Sequence, residues 1–438
     1  MLKGEWSGGA GQRFGFVLIV LFWTALGEDL PGGGWRFWYE QELFGMPAYY
    51  FYLAATLALL LPLLLPTPSR ALISALRSAR LTPWVVVAWA ALVLALIRAL
   101  VDGAPDPFVD WRDLFVLAVV AAMAFRWLAA QPWRNWALID IAVGYGLVSL
   151  VYLAIWAFGG GVTILGVRVP TFHSALLYMN VFAGLALVLV WATTIRQAPV
   201  AYGVLVRLGA ITNSVVVLLS LRRSWWLAWG VGMAVVLYSL LKRRWERGRG
   251  ALGLSLALVG VVVAAFVLLG TETVLARLES FLPGSDNEFS ATNEDHFNDI
   301  RDAIQVVGRE PIIGYGIGQF YETNLTANWK SESFDVHNAL LHAWLKFGLI
   351  GAAAYLGFHI AWIRSSWRLS RSDDTFAPGL AAAALYIAGN MLGTVVGTWP
   401  YRSVQLAIFH GLLLAGLALG VCAREPRESV SREMISVG

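Results

Sequence analysis

The chain has 438 residues, of which 58% are hydrophobic and 14% charged, with a mean hydropathy of +0.65. Soluble domains average about 45–50% apolar and about 25% charged, so this composition excludes an ordinary water-soluble fold and indicates a membrane protein. The net charge of +4 does not point to a nucleic-acid partner, because the basic residues lie in short stretches between apolar runs, and the single cysteine, Cys422, excludes a disulfide framework.

A helix needs roughly 17–25 apolar residues to cross a bilayer. Twelve runs are placed on that basis, the first of them short, at 13–27, 47–66, 83–101, 112–130, 136–158, 174–195, 200–220, 224–242, 251–270, 339–363, 377–397 and 403–423. The first lacks a small-x-small cleavage signal and is kept as an anchor. Alternate loops alternate in charge, as cytoplasmic enrichment in Lys and Arg requires. One set carries Lys3 and Arg13; Arg70, Arg77 and Arg80; Arg134; Arg196; Lys242 to Arg249; Arg364, Arg368 and Arg371; and Arg424 and Arg427. The other carries Glu28, Asp29, Glu40 and Glu42, then Asp102, Asp106 and Asp110. Both ends of the chain are therefore expected in the cytoplasm.

The long segment 271–337 breaks this rhythm and is rich in Asp and Glu, so it is expected outside. A loop of that length in a compact bundle is usually functional or disordered, and its aromatic residues, its GYGIG turn and a helical pattern at 297–308 favour an ordered one. The predicted fold class is thus an all-α polytopic membrane protein of about twelve transmembrane helices with one large outer loop. It divides into spans one to nine (1–270), the loop (271–337), spans ten to twelve (338–423) and a cytoplasmic tail (424–438).

The informative residues are polar groups in costly places. Arg222 and Arg223, in SLRRSWW, sit at the outer ends of spans seven and eight, on the side where arginine is disfavoured. A single interfacial arginine most often snorkels to headgroups, whereas a tandem pair on the wrong side offers planar donor forks suited to phosphate. Arg301 lies in NDIRDAIQVVGREPIIGYGIGQF, where the bland reading is a salt bridge to Asp299 or Asp302. Gly314 and Gly316 give a bend that lets backbone approach another group closely. His337 lies where the loop returns to the membrane, flanked by Asp335 and Asn338 as orienting groups, and is a candidate general base against the bland reading of a polar tip among headgroups. The remaining histidines form no metal-ligand spacing.

At these places, Arg223-Ser224 after an apolar span, Arg301 followed by PIIGYGIGQF, and HNALLHAWLKFGLIG before another span, the chain resembles the O-antigen ligase and O-antigen polymerase superfamily. The resemblance covers roughly 210–355 by motif and the whole chain by layout. Arg222 stands where the family often has Ser, and Gln305 where an aromatic residue is common. The resemblance implies an inverting, metal-independent glycosyltransferase without a cofactor, in the bacterial inner membrane with its site facing the periplasm. Its donor would be a polyprenyl-pyrophosphate-linked glycan and its acceptor lipid A-core. It implies catalytic roles for His337, Arg223 and Arg301, with Arg222, Asn338, Gly314 and Gly316 beside the substrate. An O-antigen polymerase or protein O-oligosaccharyltransferase of the same superfamily is the nearest alternative. A secondary transporter or flippase, argued mainly from Arg207 in span seven, is the alternative from another class.

The alternation of charge sets a topological expectation. A labelling tag near residue 325 should be modified from the outside and one near residue 246 should not; modification of both from one side would displace span nine or ten.

Overall fold

The computed structural model describes residues 10–21, 24, 42–43, 46–47, 67–104, 109–129, 131, 136–160, 162–164, 167–169, 174–193, 199–242, 260, 263, 266–279, 291–319, 321–322, 332–333, 336, 338–369 and 404–422. In chain order these form α1 (Ala10–Leu21), the pair β1 (Glu42–Leu43) and β2 (Met46–Pro47), α2 (Thr67–Ser78), α3 (Thr82–Val101), α4 (Val109–Ala129) and α5 (Ala137–Ala157). After the pair β3 (Val162–Ile164) and β4 (Val167–Val169) come α6 (Ser174–Thr193), α7 (Val200–Leu219) and α8 (Arg223–Lys242). Then follow α9 (Thr271–Glu279), α10 (Ala291–Arg309), the pair β5 (Tyr321–Glu322) and β6 (Glu332–Ser333), α11 (Ala339–Leu369) and α12 (Val404–Cys422). The architecture is helical, and its few strands form short antiparallel pairs.

Helices α3 to α8 and α12 fall on the predicted spans, and α1 covers the first part of its own. The spans at 47–66 and 377–397 lie outside the described residues. Among the described residues four helices, α3, α5, α7 and α11, are long and apolar enough to cross a membrane, and α1, α4, α6 and α12 hold shorter apolar stretches. The tenth predicted span differs from expectation, because α11 is broken by a kink at Gly348, whose backbone is not helical.

Helix α6 is central, packing against α5, α7, α8 and α12, while α3 pairs with α11 and α4 with α12. The outside is apolar as well as the inside: Val86, Val93, Leu94 and Ile97 of α3, and Leu147 and Val151 of α5, are exposed. Apolar residues on both faces are what a helix between a protein core and lipid requires. Where α5 crosses α7, a side chain on Gly146 would come within 2.5 Å of the Gly209 Cα, so this contact is made backbone to backbone as small-residue membrane interfaces are.

Polar side chains cross-link the bundle. Ser149 donates to Asn180 Oδ1 at 2.9 Å, and Tyr178 Oη and His410 Nε2 lie 2.8 Å apart. At the predicted inner end, Asp140 in the first turn of α5 takes a two-pronged hydrogen bond from Arg13, whose Nη2 is 2.6 Å from Oδ1, and another from Tyr202 at 2.7 Å. The guanidinium also lies 6.0 Å from the Trp136 ring and 5.7 Å from that of Tyr202. A carboxylate at a helix N-terminus is favoured by the helix dipole, and here it ties α1, α5 and α7 together.

Removing one partner from a buried ion pair strands the other charge, at about 3–5 kcal/mol. Arg13→Ala should therefore lower the thermal midpoint of the purified protein by several degrees, and Arg13→Met with Asp140→Leu should recover most of the loss. An unchanged midpoint for Arg13→Ala would remove the pair as a determinant of the bundle.

Candidate functional site

The segment expected outside, 271–337, is termed the outer segment and is built on α10. Its residues Asp299, Asp302, Ala303, Val306 and Val307 repeat at helical spacing and form the buried stripe, while Arg301, Ile304 and Gln305 face solvent. That stripe packs with Tyr321, Val336, Leu341 and Leu345 in a small core of its own. Tyr321 Oη donates to Asp299 Oδ1 at 2.7 Å, fastening β5 to the helix.

After α10 the chain turns through Pro311-Ile312-Ile313-Gly314-Tyr315 into the break in α11. In an unbroken helix the Leu345 carbonyl would accept from the Leu349 N–H. Here the Leu345 carbonyl accepts from the Tyr315 N–H at 2.5 Å, and the Leu349 N–H donates to the Pro311 and Ile312 carbonyls at 3.0 and 3.1 Å. The turn is threaded into the missing helical hydrogen bond. Gly348 holds φ +68° and ψ −171°, and a Cβ there would lie 2.0 Å from the Ile312 oxygen; one on Gly314, at φ +81°, would lie 2.3 Å from the Gly348 nitrogen. Both positions therefore require glycine.

Three side chains clamp this junction. Trp344 Nε1 donates to the Pro311 carbonyl at 2.8 Å, and the fully buried Lys346 donates to the Gln319 carbonyl at 2.6 Å. From the end of α3, Arg98 donates to the Gly314 carbonyl, pairs with Glu310 and reaches Asp102 at 3.0 Å. In the sequence Arg98 stands near the end of the apolar run 83–101. The signal that singled out Arg222 and Arg223, an arginine at an outer helix end, applies equally to it.

Arg222 is exposed in the turn between α7 and α8. Its carbonyl accepts the N–H groups of Trp225 and Trp226 at 3.1 Å, starting α8. Leu219 and Leu221 beside it pack with Leu269 and Val274, so the arginine turn sits at the base of the outer segment. Arg223 is the first residue of α8, and its side chain lies outside the described residues, as do His337 and Asp335. Arg301 is exposed and donates to Asn298 Oδ1 at 3.0 Å. The expected salt bridge of Arg301 to Asp299 or Asp302 is not among its described contacts, because both acids turn to the buried face of α10.

Asn338 caps α11, its Oδ1 accepting the Leu341 N–H at 2.9 Å. Gly316 has φ +104° and continues the turn begun at Gly314. Among the described residues no group of three or more His, Cys, Asp or Glu is placed to hold a metal ion.

Residues 208–356 match the family model described as O-Antigen ligase, which supports the O-antigen ligase/polymerase superfamily. The match begins within α7 and ends in α11, so it contains the arginine turn, α10, the glycine turn and the kink. No curated protein matches the chain.

A hydrogen bond from a charged donor contributes about 1.5–3 kcal/mol, worth tenfold or more in local opening. Arg98→Ala should accordingly raise amide exchange about tenfold or more in peptides covering 310–319 and 342–350, while peptides from α5 and α6 stay protected. Unchanged exchange at the junction would show that Arg98 does not hold it.

Proposed function

We propose that this membrane protein, whose residues 208–356 match the O-antigen ligase family model, is an inverting glycosyltransferase that moves a glycan from a polyprenyl-pyrophosphate carrier onto a sugar hydroxyl of lipid A-core. The observation that carries the reading is that the family match spans the arginine turn, α10 and the glycine turn threaded into the kinked α11. The reaction belongs at the periplasmic face of the bacterial inner membrane, where the acidic outer segment and the lipid-linked donor meet.

In this reading Arg223 and Arg301 bind the donor pyrophosphate and stabilise the charge that grows on it, with Arg222 alongside. The acceptor oxygen attacks the anomeric carbon from the face opposite the pyrophosphate, the carbon–oxygen bond to phosphate breaks, and polyprenyl pyrophosphate leaves. His337 takes the acceptor proton, since a neutral imidazole is matched to that task near pH 7. Asn338 acts through its cap, fixing the direction in which the chain enters α11. Gly314 and Gly316 shape the wall of the site. Exposed Ile312 and Ile313, next to exposed Leu349 and Ile350, give the turn an apolar edge toward the lipid in which the polyprenyl chain runs.

Purified protein in lipid, given a lipid-linked glycan with either lipid A-core or a second lipid-linked glycan as acceptor, tests the reading. Transfer to lipid A-core supports a ligase; elongation of the carrier-bound glycan would make the protein a polymerase. His337→Ala should lose about a hundredfold in turnover, the usual size of a general-base contribution, while donor binding persists. Arg223→Lys and Arg301→Lys should fail nearly as badly as the alanine variants, since lysine keeps charge but loses the two-pronged geometry. Normal turnover by His337→Ala with loss in Asp335→Asn would transfer the base role to the carboxylate.

A further inference from the structure

We propose that the opposite, basic end of α3 and α11 is a binding site for an anionic phospholipid, with its phosphate among Arg80, Arg364 and Arg368 and an acyl chain in the groove between the two helices. A cavity of about 490 Å³ lies there, with Trp84 forming one wall. Its floor follows the small residues of α11, Ala353, Gly357 and Ala361, flanked by half-exposed Leu356 and Ile360. From residue 353 to residue 364 a helix rises about 16 Å, so the groove is elongated along the bundle as a lipid tail would be.

The three arginines stand at one end of this apolar channel, and no carboxylate is among its described lining residues. Arg364 and Arg368 are one helical turn apart on the same face, a like-charge spacing that is unfavourable until an anion lies between them. Arg80 has φ +59°, a left-handed conformation that a helix end usually assigns to glycine. A charged side chain kept at a strained position points to use of that side chain. Its turn is tied to α11 by Ser365 Oγ donating to the Ala79 carbonyl at 2.9 Å, and Arg80 lines the same cavity as Arg364 and Arg368. Cationic loops alone satisfy the cytoplasmic bias in charge without any groove. Here the charge closes one end of a cavity whose remaining lining is mainly apolar, which matches an anionic lipid in both headgroup and tail.

The test uses the full-length protein in mixed micelles containing phosphatidylglycerol or phosphatidylcholine, with lipid retention read by native mass spectrometry. Phosphatidylglycerol should be retained preferentially. Replacing all three arginines together (Arg80→Gln, Arg364→Gln, Arg368→Gln) should weaken that retention by about a hundredfold, at roughly fivefold per arginine. Ala353→Phe, at an exposed position, should also weaken it by filling the groove without changing charge. Equal retention of the two lipids, or full retention by the triple variant, overturns the proposal. Displacement by inorganic phosphate with Ala353→Phe neutral would identify a phosphate site without a lipid and overturn it as well. Glycan transfer is not part of the readout, so failure here leaves the catalytic reading standing, and the reverse.

Discussion

The geometry of the outer segment depends on one exchanged hydrogen bond. The helical bond between Leu345 and Leu349 is replaced by two contacts through the turn, Tyr315 N–H to the Leu345 carbonyl and Leu349 N–H to the carbonyls of Pro311 and Ile312. An unsatisfied carbonyl and N–H at the membrane boundary would each be costly, so the break can exist only where another piece of backbone fills it. Filling it demands contact closer than any side chain allows, which is met by Gly314 against Gly348. The segment Ala339–Phe347 is thereby turned away from the axis of Leu349–Leu369 and laid on α10. Its first turn, capped by Asn338, is aimed by that junction rather than by the bundle.

The junction is also the place where the outer segment is joined to the membrane helices. Arg98 reaches it from α3, and Lys346 and Trp344 hold it from within α11. At the opposite end of the bundle the corresponding task falls to Arg13, Asp140 and Tyr202, which join α1, α5 and α7. Between the two levels described cross-links include neutral ones, such as that of Ser149 with Asn180. Arg207, within α7, is a charge away from these two levels, its guanidinium 5.9 Å from the Trp191 ring, and the charged cross-links at either end hold elements that apolar packing alone would let slide.

Much of this was legible in the sequence and some was not, for identifiable reasons. Helices such as α5 and α7 are uniformly apolar over a membrane's thickness, so length and composition suffice to find them. The helix α10 was visible at 297–308 from its repeat, although it begins at Ala291, because the polar residues of its first turns carry no apolar periodicity. The kink was hidden: KFGLIG reads as the middle of a continuous apolar run, and a glycine inside a helix is ordinarily tolerated. Only the partner turn, some thirty residues earlier in the chain, makes Gly348 a break. Arg98 was hidden in the same way, since its partners Glu310 and Gly314 are remote in sequence. His337, the residue on which the chemical reading rests most heavily, lies outside the described residues, so its role still derives from the motif.

Arg301 has two readings that its sequence neighbours leave open. Flanked by Asp299 and Asp302, it looks like one member of a salt bridge, and an arginine so paired has its charge neutralised and its donor fork occupied. The helix places both acids one turn apart on the buried stripe and the arginine on the other side. Its described contact is Asn298, a neutral amide that orients the guanidinium without cancelling its charge. Asp299 is bound instead by the Tyr321 hydroxyl, which stabilises the carboxylate away from the exposed face. An exposed and oriented guanidinium leaves its donor fork open, as the proposed contact with a pyrophosphate requires. Paired with either carboxylate it would be suited to holding the loop together.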